Sequence, residues 1–249
     1  MGLKEPGLRG SLRNVSTGVS AIPDSVVLQF FASTFIENDS TWQNDIDGQP
    51  DISITGDPSE GQLSDDAKAI VTDGSDDHGL LNLPSEFAGD GLEQFSVEFV
   101  LEYTATGDMR IGGQLNNDGD QDFSLRLNND DGTNTDNGNL AVLMADDDGT
   151  RLRFAPSTNP NLNDGNRHDL SVIVHDATEN DVEIIIDGTS VSLSFSEQEG
   201  PNNFTSWDNE FGIWAWNNGG SIAERYEGKN GAWRWHDQPI EEQTISDYQ

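Results

Sequence analysis

From Val26 onwards apolar and polar residues alternate with a period of two, the spacing of a half-buried strand rather than of a helix. The clearest run is FSVEFVLEY, which sets Phe95, Val97, Phe99, Leu101 and Tyr103 on one face and Ser96, Glu98 and Glu102 mostly on the other. DFSLRL repeats the pattern with Phe123, Leu125 and Leu127, and RHDLSVIV with His168, Leu170, Val172 and Val174. Each strand is expected to keep one face wet. Asp-Gly between alternating runs marks two hairpins. LAVLMADDDGTRLRF turns at Asp148-Gly149, and in VEIIIDGTSVSLSF the residues Val182, Ile184 and Ile186 would pair with Val191, Leu193 and Phe195 across Asp187-Gly188. Helix signals are almost absent until PIEEQTISDY, where Pro239 at a first helical position and acidic residues in the first turn predict one short C-terminal helical turn. Many short antiparallel strands with polar outer faces predict an all-β fold, two antiparallel sheets packed as a β-sandwich or jelly roll.

Residues 1–25 do not share this pattern. They are rich in Gly, Ser, Arg and Asn, with isolated apolar residues and a closing Pro23, and cannot build a core of their own. The chain is therefore divided into an extended arm, 1–25, and a sandwich with a single core, 26–249.

Charge sharpens that division. The chain carries 46 Asp plus Glu against 12 Lys plus Arg, a net charge of -34. The first thirteen residues nevertheless hold Lys4, Arg9 and Arg13 against Glu5 alone, a net +2. Such an acidic body repels itself in dilute buffer, where screening is weak, and is relieved in molar salt, where the screening length falls to about 3 Å. The Asp-rich, Lys-poor composition resembles that of haloarchaeal proteins. It argues against nucleic acid as a partner. There is no cysteine, which excludes disulfides, thiolate metal sites and a Cys nucleophile. No apolar stretch predicts a membrane span or an export signal, so neither membrane nor secretion is expected.

The segment DGNRHDLSVIVHDATENDVEIIIDG resembles a stretch of the laminin-G-like, concanavalin-A-like lectin and glucanase family in which a Gly and a Trp-His pair begin a strand and a later Asp-Gly turns a hairpin. Gly165 and His168 match, while Arg167 stands where the family has Trp. The closing YEGKNGAWRWHDQPIEEQTISDY is similar to the family's final strand and short helix. The resemblance implies a concanavalin-A-like jelly roll. The arm, LRGSLRNVSTGVSAIPDS, resembles N-terminal segments of haloarchaeal virus structural proteins.

Glucanases of this fold present catalytic carboxylates on one strand in an E-x-D-x-x-E type motif, which is absent here. The nearest candidates, Glu98 and Glu102, are read as a solvated strand face. His78, His168, His175 and His236 lie in no nucleophile motif. No catalytic residue is assigned, and the chain is not expected to be an enzyme. Two loops carry alternating acids on a tight turn, Asp118, Asp120 and Asp122 in NNDGDQD, and Asp45, Asp47 and Asp51 in NDIDGQPD. They are candidate calcium ligands. Asp-Gly occurs eight times in the chain, however, so metal-free acidic turns are the preferred reading. Finally, WDNEFGIWAWNNGG and GAWRWH concentrate tryptophans. Alternation puts Trp214 and Trp216 on one face. A core role is preferred, and a carbohydrate-stacking platform of Trp214, Trp216 and Asn217, with Asn218 beside it, is the alternative.

These readings combine into one expectation: a non-enzymatic structural component of a halophilic archaeal virus particle, displayed on the virion surface as a turret, spike, decoration or tail fibre. Lys4, Leu8, Arg9, Leu12 and Arg13 would anchor it to other virion proteins. Attachment would be as a trimer or pentamer, and S-layer glycans are a candidate ligand. The alternatives are a glycoside hydrolase or lyase of the same fold, or a cellular carbohydrate-binding module.

Overall fold

The structure, a computed structural model, describes residues 25–84, 94–115, 122–128, 137–145, 150–177, 180–198, 210–241 and 245. The anchoring residues Lys4, Leu8, Arg9, Leu12 and Arg13 lie outside that set. In chain order the strands are β1 (Val26–Phe31), β2 (Thr41–Trp42), β3 (Ile52–Thr55), β4 (Ser59–Gln62), β5 (Lys68–Asp73), β6 (His78–Leu81), β7 (Phe95–Glu102), β8 (Met109–Leu115), β9 (Asp122–Leu127) and β10 (Leu140–Ala145). They continue with β11 (Arg151–Pro156), β12 (His168–Asp176), β13 (Asp181–Ile186), β14 (Thr189–Ser190), β15 (Leu193–Gln198), β16 (Phe211–Ile213), β17 (Trp216–Asn218), β18 (Ser221–Ala223) and β19 (Glu227–His236).

They form two sheets that face each other as a sandwich. The first runs β14-β13-β12-β7-β19-β5-β4, with β1 also on β19. The second runs β15-β11-β10-β9-β8-β16-β6-β3-β2, with the β17–β18 hairpin attached through a parallel pairing of β17 to β8. The alternating residues named above fill the space between the sheets, where Phe95, Val97, Phe99, Leu125, Leu170 and Val172 are all fully buried. Aromatic rings knit the layers together. Trp235 of the first sheet meets Phe211 of the second edge-on at 4.9 Å, while within the first sheet Trp233 stacks on its cross-strand partner Phe99 with centroids 5.1 Å apart.

The expectation of one wet face per strand fails at β7 in the first sheet and at β10 in the second, both buried along their whole length. Every residue of β7 is buried, including Ser96, Glu98 and Glu102. The reason lies after β19, where the C-terminal segment folds back across the outer face. There Ile240 packs on Ile173 and Ile185, while Ile245 packs with Leu63, Ala69, Val100 and Ala232. Apart from these two contacts, the C-terminal helical turn falls mostly outside the described residues.

Both hairpins form, one with a shorter ladder than expected. Ala145 faces Arg151 across the first, whose turn lies outside the described residues. In the second, Asp187 (φ 50°) and Gly188 (φ 74°) make the tight left-handed turn that Asp-Gly favours. Thr189 and Ser190 then pair with Ile186 and Ile185, and the Val191 amide still donates to Ile184 O at 3.0 Å. The chain next leaves the sheet, and Leu193–Gln198 pairs with β11 in the opposite layer. Leu193 and Phe195 thus belong to the second sheet and do not face Ile184 and Val182.

Candidate functional site

Glu98 and Glu102 were the carboxylates best placed for acid–base work, and neither lies on a solvated face. Glu98 is fully buried, as are the Arg234 and His236 that meet it. Its Oε2 accepts from Arg234 Nη1 at 3.3 Å and lies 3.0 Å from His236 Nε2. Its Oε1 accepts from the Ile245 amide at 3.1 Å and from Ser171 Oγ at 3.4 Å. Ser25 Oγ stands 3.0 Å from His236 Nδ1, so serine, imidazole and carboxylate follow one another in the order of a hydrolase triad. Four donors already occupy the carboxylate, however, and neither ring nor carboxylate meets solvent. Gln29 Oε1 on β1 accepts from Arg234 Nε at 3.0 Å, so the cluster ties β1, β7, β12, β19 and the C-terminal segment together. One signal for it was present in the sequence: GAWRWH places Arg234 and His236 at alternate positions between buried tryptophans, opposite the Glu98 face of FSVEFVLEY.

Glu102 is bonded by Lys229 Nζ and by the Ser64 amide. Burial works against its charge, but these bonds outweigh burial and hold its pKa below the usual glutamate value. An ionised, ammonium-paired carboxylate is a poor general acid.

The tryptophans are separated by a kink. Trp214 has φ +59°, a left-handed conformation rare for a bulky residue, and lies between β16 and β17. Its ring is fully buried, stacked on Trp42 with centroids 5.7 Å apart, and its Nε1 donates to Asn230 Oδ1 at 3.3 Å. It is therefore not on a surface platform. After the kink Trp216 is partly exposed, with the Arg110 guanidinium carbon 3.7 Å from its ring centroid. Arg110 Nε donates to Glu224 at 2.6 Å, and Arg126, its cross-strand partner, donates to Asp108 at 2.7 Å. Burial raises the pKa of Asp108, opposed by the charge and hydrogen bond of Arg126. Asn217, at 4% exposed, supports the hairpin, donating to Glu210 O at 2.7 Å and accepting from the Gly220 amide at 2.9 Å. Asn218 is exposed at the hairpin tip. Sequence reasoning found Trp216 but missed Arg110, whose only sequence signal is a lone cation in the apolar run MRI.

Of the acidic loops, Asp118, Asp120 and the side chain of Asp122 lie outside the described residues. In the other loop Asp45 Oδ2 accepts from the Phe31 amide at 3.2 Å, and Asp51 Oδ1 from the Asn44 amide at 2.9 Å. Asn44 Oδ1 accepts from the Gln29 amide, so this loop covers the free edge of β1. Asp45, Asp47 and Asp51 do not converge on a point. Among the described residues the acids that do are Asp57, Asp76 and Asp77, with oxygens within 4.8 Å of one another. The two oxygens of Asp77 already accept from the Asp57 and Asp73 amides, at 2.8 and 3.1 Å. Burial, more than its neighbours' charge, raises its pKa.

At the other end of β12, Arg167 forks onto Asp169 at 2.8 and 3.1 Å and also reaches Asp65. It holds two loops together where the lectin family has Trp. His168 lies 2.9 Å from Asp187 and 3.2 Å from Asp164. Partial burial opposes its protonation, yet the two carboxylates outweigh this and raise its pKa. Asp187, against its own burial, and Asp164, chiefly through Asn166, are held low. A raised histidine stabilises fully below its unfolded pKa and loses that contribution as pH rises through the folded value, whereas lowered carboxylates lose theirs as pH falls through their folded values. The group is thus strongest between the carboxylate range and about pH 6.5. Melting curves in molar salt are expected to shift down as pH rises above about 6.5, by under about 1 kcal/mol because the groups are partly exposed. His168→Gln should flatten that slope, and an unchanged slope would show that His168 is not its source.

No family model matches the chain, and no curated protein matches its sequence. Its fold is nevertheless found among solved structures. The binding domain of Paraclostridial Mosquitocidal Protein 1 superposes with a TM-score of 0.62 at 10% identity, covering 87% of this chain and 50% of that one. The botulinum neurotoxin serotype D binding domain gives 0.55 at 10% identity, covering 87% and 49%. The Ruminococcus gnavus IT-sialidase CBM40 gives 0.47 at 11% identity, covering 63% and 81%. The chain spans about half the length of the two toxin domains. At such identities the likeness is one of fold, a two-sheet β-sandwich.

Proposed function

We propose that the sandwich is a non-catalytic carbohydrate-binding domain working in concentrated salt, and that the basic arm attaches it to a larger assembly, a halophilic virus particle being the first candidate. The observation that carries the reading is Trp216, a partly exposed indole backed by the Arg110 guanidinium on a rim of Arg126, Asp108 and Glu224. An aromatic face held rigid by a cation suits stacking against the C–H face of a sugar, with rim charges bonding its hydroxyls. Two further points support binding over turnover. Glu98 and Glu102 are consumed by structural ion pairs. The fold neighbours reported above include proteins described as binding domains.

Among the described residues Ile36 is the one large hydrophobic side chain that is strongly exposed, so those residues offer little apolar surface for an obligate interface. Attachment is therefore assigned to the arm, whose positive charge suits an acidic partner.

A glycan array in molar salt tests the binding reading. Wild-type signal is expected, with Trp216→Ala weakening it at least about tenfold, roughly the free energy of one stacking contact. An empty array would remove the Trp216 face as a glycan site, and glycan turnover by the wild type that a folded Glu98→Gln variant abolishes would overturn the reading in favour of the enzyme. Mass spectrometry of purified particles, with and without residues 1–25, separates a virion component from a cellular module.

A further inference from the structure

Where β7 ends and β19 begins, the chain leaves an open cleft of about 340 Å³, lined among others by Val71, Thr72, Glu102, Thr104, Gly228 and Lys229. That volume is at the lower end of the range for small-ligand sites. Its polar centre is the cross-strand pair Lys229 and Glu102. The Glu102 side chain is 8% exposed and that of Lys229 35%, so the ammonium is what the cleft chiefly presents. Glu102 takes one of its three N–H donors and the other two remain uncommitted. The walls are bare at two positions. Gly228 has no room for a side chain, because a Cβ would lie 2.5 Å from Tyr226 Oη, and Gly165 turns away with φ +79°. Exposed Thr104 adds a hydroxyl to the rim, whereas the Thr72 hydroxyl is buried and donates to Tyr226 O at 2.9 Å.

We propose that this cleft is a second subsite, separate from the Trp216 face, for an uncharged polyhydroxylated ligand, a sugar ring presenting adjacent hydroxyls. The inference rests on the carbohydrate-binding reading and adds a place and a ligand charge to it. Lys229 repels a cation, while Glu102 and the exposed Glu227 disfavour an anion. Adjacent hydroxyls of a neutral sugar can accept from Lys229 and exchange a hydrogen bond with Thr104 without bringing a net charge against either carboxylate or the ammonium.

Amide NMR of the full ¹⁵N-labelled chain in molar salt tests this with D-glucose, D-galactose and D-mannose, and with D-glucuronate as the anionic control, each to about 100 mM. Neutral hexoses are expected to shift Thr104, Gly165 and Gly228 in a saturable way, with little response to glucuronate. Lys229→Met should abolish those shifts. Thr104→Val, which leaves the ion pair intact, should weaken them at least about threefold. Silence in the cleft, a stronger response to glucuronate, or shifts unaltered in both variants would overturn the subsite. Shifts around Trp216 alone would do the same and leave the carbohydrate reading standing. An empty glycan array beside a responsive cleft would instead remove the Trp216 face and keep the subsite.

Discussion

Glu98→Ala is expected to lower the unfolding free energy by about 3–5 kcal/mol, a large part of the stability of a typical domain. The carboxylate it removes is the one on which Arg234, His236, the Ile245 amide and Ser171 converge, in a place with no access to water. Deleting it takes a charged acceptor from a buried guanidinium and takes from the C-terminal segment the acceptor that holds Ile245. Glu98→Gln keeps the shape and the acceptor oxygen but not the charge, so it is expected to cost less than alanine. Denaturant curves in molar salt give both values. Salt does not rescue the alanine variant, because the pair is too deep to be screened, whereas losses at exposed pairs shrink as salt is added. Exchange of the Ile245 amide reads the local effect and should accelerate in both variants, more in alanine. A loss under about 1 kcal/mol for alanine, with Ile245 exchange unchanged, would mean that the cluster is not what closes the outer face.

That cluster also marks the limit of what alternation reveals. Period two placed Phe95, Val97, Phe99, Leu170 and Val172 between the sheets because a strand has only two faces and one must be buried. It could not say whether the other face is wet, since that depends on what crosses it, and here the cover is Ile240 and Ile245, more than 130 residues away from β7 in sequence. Charge alternation misled for the same reason: Glu98 looked solvated because its partners sit in the last strand. Turn chemistry located Asp187-Gly188 but not the switch of sheets three residues later, which no local propensity signals. The site was legible only in part. Trp216 was visible as an aromatic beside amides, but its separation from Trp214 depends on one residue in a left-handed conformation. Lys229 and Thr104 come together only through the pairing of β19 with β7.

Trp214 joins fold and site, and replacing it should affect both. Trp214→Ala removes a fully buried indole stacked on Trp42 and hydrogen-bonded to Asn230, for an expected loss of about 3–5 kcal/mol. The backbone makes the choice of replacement informative. At φ +59° a residue with a Cβ is strained by about 1–3 kcal/mol, and glycine is not. Elsewhere in a strand glycine is worse than alanine; at this kink Trp214→Gly is expected to be the milder of the two by about 1 kcal/mol. The neighbouring Gly212 is bare for a steric reason, since a Cβ there would meet the Ala215 carbonyl oxygen at 2.7 Å. Trp214 N donates to Ile111 O and its carbonyl accepts from Tyr226 N, both at 2.8 Å, so the kink is fastened to β8 and to the approach to β19. If the kink is what turns Trp216 outward onto Arg110, the glycine variant should retain sugar binding at temperatures where it is folded and the alanine variant should lose it. Alanine proving the more stable replacement, with binding equal in the two, would show that Trp214 serves the core alone and that the kink does not set the position of Trp216.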